Sequence, residues 1–166
     1  MIIRNILSDL DKNDIYNLWV KYLNKVPDHQ TIGAPSARQA EFLKEYLTKV
    51  KKILELKTGY KLSERFTIIR EYKKGDFMKK HIDNAAPFAV TIVIKQSDSK
   101  DNPLVFYNTE PETIILKEGD GYCFWGMEVP HERLAVQSDY LLHVYFGYSV
   151  ADKLISISGK YNKQIL

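Results

Sequence analysis

The chain has 166 residues, 45% of them hydrophobic and 12% aromatic, enough apolar content for one domain with a sizeable core. Lys and Arg number 24 against 21 Asp and Glu, and a net charge of only +3 makes no case for nucleic acid as a partner. One cysteine, Cys123, excludes an internal disulfide framework. No apolar run approaches the ~18–20 residues that span a bilayer, and the start Met-Ile-Ile-Arg-Asn lacks a signal-peptide pattern, so a cytoplasmic protein without membrane contact is expected.

In chain order, Ile2 and Ile3 start a short strand. Asp11 or Asn13 then caps a helix whose apolar residues Ile15, Leu18, Trp19, Tyr22 and Leu23 recur at helical spacing, and Pro27 stops it. Val26 to Ser36 has turn composition, and His29 within it reads as a solvated loop histidine. From about Ala37 to Leu56, the residues Phe42, Leu43, Tyr46, Leu47, Val50, Ile53 and Leu54 trace one stripe of a long amphipathic helix, with Gly59 as its stop. The two helices are read as a supporting layer over about 11–58.

Beyond Leu62 the pattern is of short β-branched or aromatic runs: Arg65 to Tyr72, Phe88 to Lys95, Leu104 to Tyr107, Thr113 to Leu116, Tyr122 to Trp125, Arg133 to Val136 and Tyr140 to Tyr148. Turn clusters at Asp98 to Pro103, Asn108 to Glu112 and Glu118 to Gly121 separate them. Helices followed by strands predict an α+β fold, and strands at ~8–12-residue spacing predict antiparallel sheets. The expected form is a double-stranded β-helix (a jelly roll, cupin-like), with its core over about 65–149 of one domain spanning 1–166.

His81-Ile82-Asp83 carries the chemistry. On an extended segment residues i and i+2 share a face, so the imidazole and the carboxylate can close on one ion. His131 is the candidate second histidine. Two imidazoles and one carboxylate suit ferrous iron and leave coordination positions open; the same set would also serve zinc, although the helical His-Glu-x-x-His spacing of hydrolytic zinc sites is absent.

The ordered run Arg70-Glu71-Tyr72-x-x-Gly75-x5-His81-x-Asp83, the strand Phe88 to Lys95, Leu104-Val105-Phe106, Gly119-Asp120 and Pro130-His131 resembles the Fe(II)- and 2-oxoglutarate-dependent dioxygenase superfamily, in particular its small prolyl-4-hydroxylase-like members. The similarity covers about residues 66 to 148. It implies a jelly-roll fold and iron held by His81, Asp83 and His131. The implied reaction consumes O2 and decarboxylates 2-oxoglutarate to succinate and CO2 while a second substrate, small molecule or peptide, is hydroxylated. Asp83 in the triad argues against the halogenating branch.

One departure concerns the cosubstrate. The family pattern places Arg or Lys about nine or ten positions after the second histidine, where this chain has Tyr140 and Leu141. If Val129 to Val136 and Tyr140 to Tyr148 form a hairpin, residues whose numbers sum to about 276 lie opposite, pairing Arg133 with His143 and His131 with Tyr145 on one inward face. Arg133, with His143 and Tyr72, is therefore the expected anchor for 2-oxoglutarate. The duller alternatives are an Arg133 paired with Glu128 on the rim, and a His143 and Tyr72 that are plain core. An iron oxygenase of the same fold without 2-oxoglutarate, or a non-catalytic jelly-roll binding protein, are the competing functions.

Overall fold

The structure is a computed structural model, and it describes residues 1–31, 34–98 and 101–152. Gly33, part of the expected 98–103 turn and the stretch 153–166 of the expected domain lie outside the described residues. The elements are β1 (Ile2–Ile3), α1 (Asp9–Lys21), β2 (Val26–Pro27), β3 (Pro35–Arg38), a 3-10 turn (Glu41–Leu43), α2 (Lys44–Thr58), β4 (Lys61–Lys73), β5 (Met78–His81), β6 (Phe88–Gln96), β7 (Leu104–Tyr107), β8 (Pro111–Ile114), β9 (Gly121–Phe124), β10 (His131–Arg133) and β11 (Tyr140–Asp152).

The first helix starts earlier than its pattern suggests. Ser8, not Asp11 or Asn13, is the cap: its hydroxyl accepts from the Asp11 N–H while the Asp11 carboxylate accepts from the Ser8 N–H. Leu23 falls past the helix end and is exposed. The segment read as one loop from Val26 to Ser36 carries two short strands, and the second helix begins only at Lys44, since Pro35–Arg38 pairs with β4. Gly59 closes α2 in the left-handed conformation at φ 74°.

All strand pairs are antiparallel. Seven strands form a large sheet in the order β1-β9-β6-β11-β4-β3-β2, and four form a small sheet, β5-β10-β7-β8. The chain crosses between the sheets repeatedly after β4, so residues far apart in sequence converge. The central strands of the large sheet, β6 and β11, are buried on both faces over most of their length. Leu142, Val144, Phe146 and Tyr148 of β11, with Val90, Ile92 and Ile94 of β6, pack under Ile15 and Trp19 of α1 and Leu47, Val50 and Leu54 of α2. Leu141 and Tyr145 of β11, with Ile68 and Tyr72 of β4, turn the other way to meet Leu104, Phe106 and Ile114 of the small sheet. Sequestration on both faces explains why Phe88 to Ile94 reads as a continuous apolar run. Two facing antiparallel sheets and a helical layer give the α+β class.

The expected hairpin is wrong. β10 pairs with β5 and β7, whereas β11 pairs with β4 and β6, so the two strands lie in different sheets. His131 sits opposite His81 and Phe106; His143 sits opposite Arg70 and Val93. Among the described residues, no helix is long and apolar enough to cross a membrane.

Candidate metal centre

His81 ends β5 and His131 begins β10, directly across the ladder, with ring centroids 4.4 Å apart. Asp83 lies beyond the strand, which corrects the picture of an extended His-x-Asp: a loop delivers it, tied by its N–H to the Gly126 carbonyl at 2.8 Å. One ligand atom from each of His81, Asp83 and His131 lies within 4.8 Å of the others. Asp83 Oδ1 stands 3.8 Å from His81 Nε2 and 3.9 Å from His131 Nε2.

The tautomers follow from the backbone. His81 Nδ1 lies 2.8 Å from the Lys79 carbonyl and His131 Nδ1 lies 2.9 Å from the Val129 carbonyl. A carbonyl only accepts, so each Nδ1 carries the proton and each Nε2 offers its lone pair to the common space. Burial pulls the His131 pKa below its ordinary value, helped by His81 and Arg70 and opposed by Asp83 and the Val129 carbonyl. A neutral imidazole, the form that ligates, is thereby favoured.

Further into the same inter-sheet space lies Arg133, only 1% exposed. Its Nη1 donates to the Asn102 carbonyl at 3.0 Å, whereas Nε and Nη2 meet no hydrogen-bonding partner among the described residues. The guanidinium stands 5.2 Å from the centre of the Tyr72 ring, and the Tyr72 hydroxyl is 3.3 Å from His143 Nε2. Thr91 Oγ1, which no motif singles out, lies 2.9 Å from His143 Nδ1. Burial, then Arg133 and Arg70, push the His143 pKa well below its ordinary value and keep the ring neutral. Arg133, His143 and Tyr72 thus form one cluster, assembled across the two sheets rather than along a hairpin. A rim ion pair for Arg133 is ruled out by its burial.

A guanidinium withdrawn from water with two N–H groups unmet is costly. Nε and Nη2 form one edge of its fork, the edge that takes a carboxylate through two parallel bonds. Tyr140 and Leu141 supply no charge, and Leu141 is fully buried.

The cavity lined by the triad, His143 and Tyr145 has an arginine, Arg70, in its wall. Arg70 donates through Nε to Asp28 Oδ2 at 2.9 Å and through Nη2 to Gln30, and its Nη1 faces the Met78 sulfur at 3.4 Å. The Arg70–Asp28 pair is buried, with Asp28 only 4% exposed. Nothing in Pro27-Asp28-His29 distinguishes Asp28 from an ordinary turn residue. His29 is exposed, as expected. Phe124 packs edge-on against His131 at 4.7 Å, while Trp125 joins Tyr60 and Phe88 on the helix side.

No protein-family model and no curated protein matches this sequence. Solved structures do match in shape. A viral collagen prolyl hydroxylase from Paramecium Bursaria Chlorella virus-1, in complex with 2-oxoglutarate, aligns over 89% of this chain and 94% of its own at 15% identity and a TM-score of 0.67. An oxidoreductase of the 2-oxoglutarate-Fe(II) oxygenase family from Burkholderia pseudomallei aligns over 90% of this chain and 83% of its own, at 15% identity and a TM-score of 0.73. A Pseudomonas putida prolyl-4-hydroxylase covers 89% and 91% at 15% identity and a TM-score of 0.65. The chain shares its fold with these oxygenases.

Proposed function

We propose that the protein is a non-haem Fe(II)- and 2-oxoglutarate-dependent oxygenase that hydroxylates a second substrate with release of succinate and CO2. The observation that carries this reading is a two-histidine, one-carboxylate cluster that shares a cavity with His143, whose ring is linked through Tyr72 to a buried guanidinium with an unmet carboxylate-binding edge. The shared fold supports it.

In this reading His81, Asp83 and His131 hold the iron through Nε2, Oδ1 and Nε2. The bound iron and cosubstrate supply the activation of O2. Arg133 pairs with the far carboxylate of 2-oxoglutarate, with the Tyr72 hydroxyl and neutral His143 beside it, and orients the cosubstrate. Leu104, Phe106 and Phe124 wall the cavity against water. Two of the similar structures are named as prolyl hydroxylases, so peptidyl proline is the first substrate to try.

The test is an anaerobic titration of metal-free protein with Fe(II) and then 2-oxoglutarate, followed by visible absorption. A weak charge-transfer band is expected in the unsubstituted protein and absent in both His81→Ala and Arg133→Ala. Iron binding without a band would favour an oxygenase that does without 2-oxoglutarate, a reading prompted by the uncharged Tyr140 and Leu141. No iron binding would sink the enzyme reading.

A further inference from the structure

Asp83 has two oxygens, and only one faces the histidines. Oδ1 stands at 3.8 and 3.9 Å from the two Nε2 atoms, while Oδ2 accepts a hydrogen bond from the Tyr145 hydroxyl at 2.7 Å. The Tyr145 ring is itself fixed: it is 6% exposed, stacks on Phe66 at 5.5 Å and meets the Phe124 edge at 6.3 Å. Close to the same oxygen is Gly126, whose carbonyl takes the Asp83 N–H. A Cβ at Gly126 would collide with Asp83 Oδ2 and crowd the Ala86 carbonyl at 3.0 Å. The carboxylate therefore sits in a slot built from β11 and the loop after β9.

We infer that Tyr145 is a positioning residue which, with Gly126 as the floor of the slot, makes Asp83 present a single oxygen to the metal. This rests on the metal reading of the triad. A carboxylate free to turn can chelate through both oxygens and would occupy a fourth coordination position. With Oδ2 engaged by the hydroxyl, three ligand atoms are offered and three positions of an octahedral ion stay open. Hydrogen-bonded partners of ligating carboxylates commonly change metal affinity when removed, by ~10–100-fold.

The test uses the full chain, titrated with Co(II) in competition with a chromophoric chelator, with the d–d absorption recorded and thermal melts run in parallel. Tyr145→Phe removes one oxygen and keeps the ring; it is expected to weaken Co(II) binding by ~10–100-fold and to alter the d–d spectrum as Oδ2 becomes free to ligate. Tyr148→Phe is the control. It deletes a buried hydroxyl from the same strand, one that donates to the Leu47 carbonyl at 2.9 Å on the helix side, and should leave affinity and spectrum unchanged. Gly126→Ala should weaken binding further; if that variant fails to fold, Tyr145→Phe carries the comparison alone. Equal affinity and spectrum in the two tyrosine variants would overturn the role of Tyr145 while leaving the metal site standing. Equal affinity in His81→Ala and the unsubstituted protein would overturn the metal reading, and this inference with it.

Discussion

Arg70 in the cavity wall and Arg133 over the Tyr72 ring are both buried but differ in how their charge is met, so removing the partner of the first and removing the second itself should shift stability in opposite directions. Arg70 is paired with Asp28, so Asp28→Ala leaves a buried guanidinium uncompensated and should cost about 3–5 kcal/mol in denaturant unfolding. Burial pushes the Asp28 carboxyl up, but Arg70, the Gln30 N–H and Arg38 outweigh it and hold the group below the ordinary carboxylate range. A depressed carboxylate contributes stability above its unfolded value of ~3.9 and loses that contribution as pH falls through its folded value. Stability should therefore drop below pH ~4, and Asp28→Asn should flatten that drop. Arg133 has no carboxylate. Replacing it by Met removes a charge whose burial the Asn102 carbonyl and the Tyr72 ring offset only in part, so the metal-free, ligand-free protein should melt at a higher temperature. The same variant should lose all thermal stabilisation by 2-oxoglutarate. A lower melting temperature would mean that the contact to the Asn102 carbonyl outweighs the desolvation.

At the scale of elements, β6 has no solvent face over most of its length. Ile92 packs under the helices from the centre of the large sheet, and Ile92→Ala should cost about 2–5 kcal/mol, read from chemical denaturation. Such strands are legible in sequence because β-branched residues crowd into them; their partners are not. The residues Gln137-Ser138-Asp139 have hairpin-turn composition, yet the segment crosses from one sheet to the other. It is held by the Val136 N–H to the Asp76 carbonyl and the Gly75 N–H to the Val136 carbonyl, both at 2.9 Å. Local composition encodes the reversal of the chain, while the layer it enters depends on these distant backbone bonds. Side-chain alternation survived the error: His131, Arg133, His143 and Tyr145 point inward whether they meet along a ladder or across the gap. The histidines and Asp83 were legible by residue type and spacing. Asp28, Gly126 and the Tyr145 hydroxyl were not, because each acts through contact with a residue far along the chain.

For the molecule as a whole, the two sheets are unequally supported. The large one is sandwiched between helices and its partner, whereas the small one ends at β5, a four-residue border strand carrying Lys79 and Lys80. Charged side chains there discourage another chain from pairing with the border. The strand, bridged on its outer edge to Thr31 at Met78, nonetheless supplies His81, and its neighbour β10 supplies His131, so an ion bound between them would be a stitch along a thinly held hem. The resulting expectation concerns local opening rather than chemistry. Without metal, the backbone amides of residues 78–83 should exchange with deuterium at the rate of a fraying edge, and on metal addition they should slow by the factor that mass action assigns to the bound fraction. Amides of β6 and β11, at the centre of the large sheet, should keep the same slow exchange in both states. The site would then double as a local fastener, holding the border strand of the small sheet more firmly once the ion has arrived.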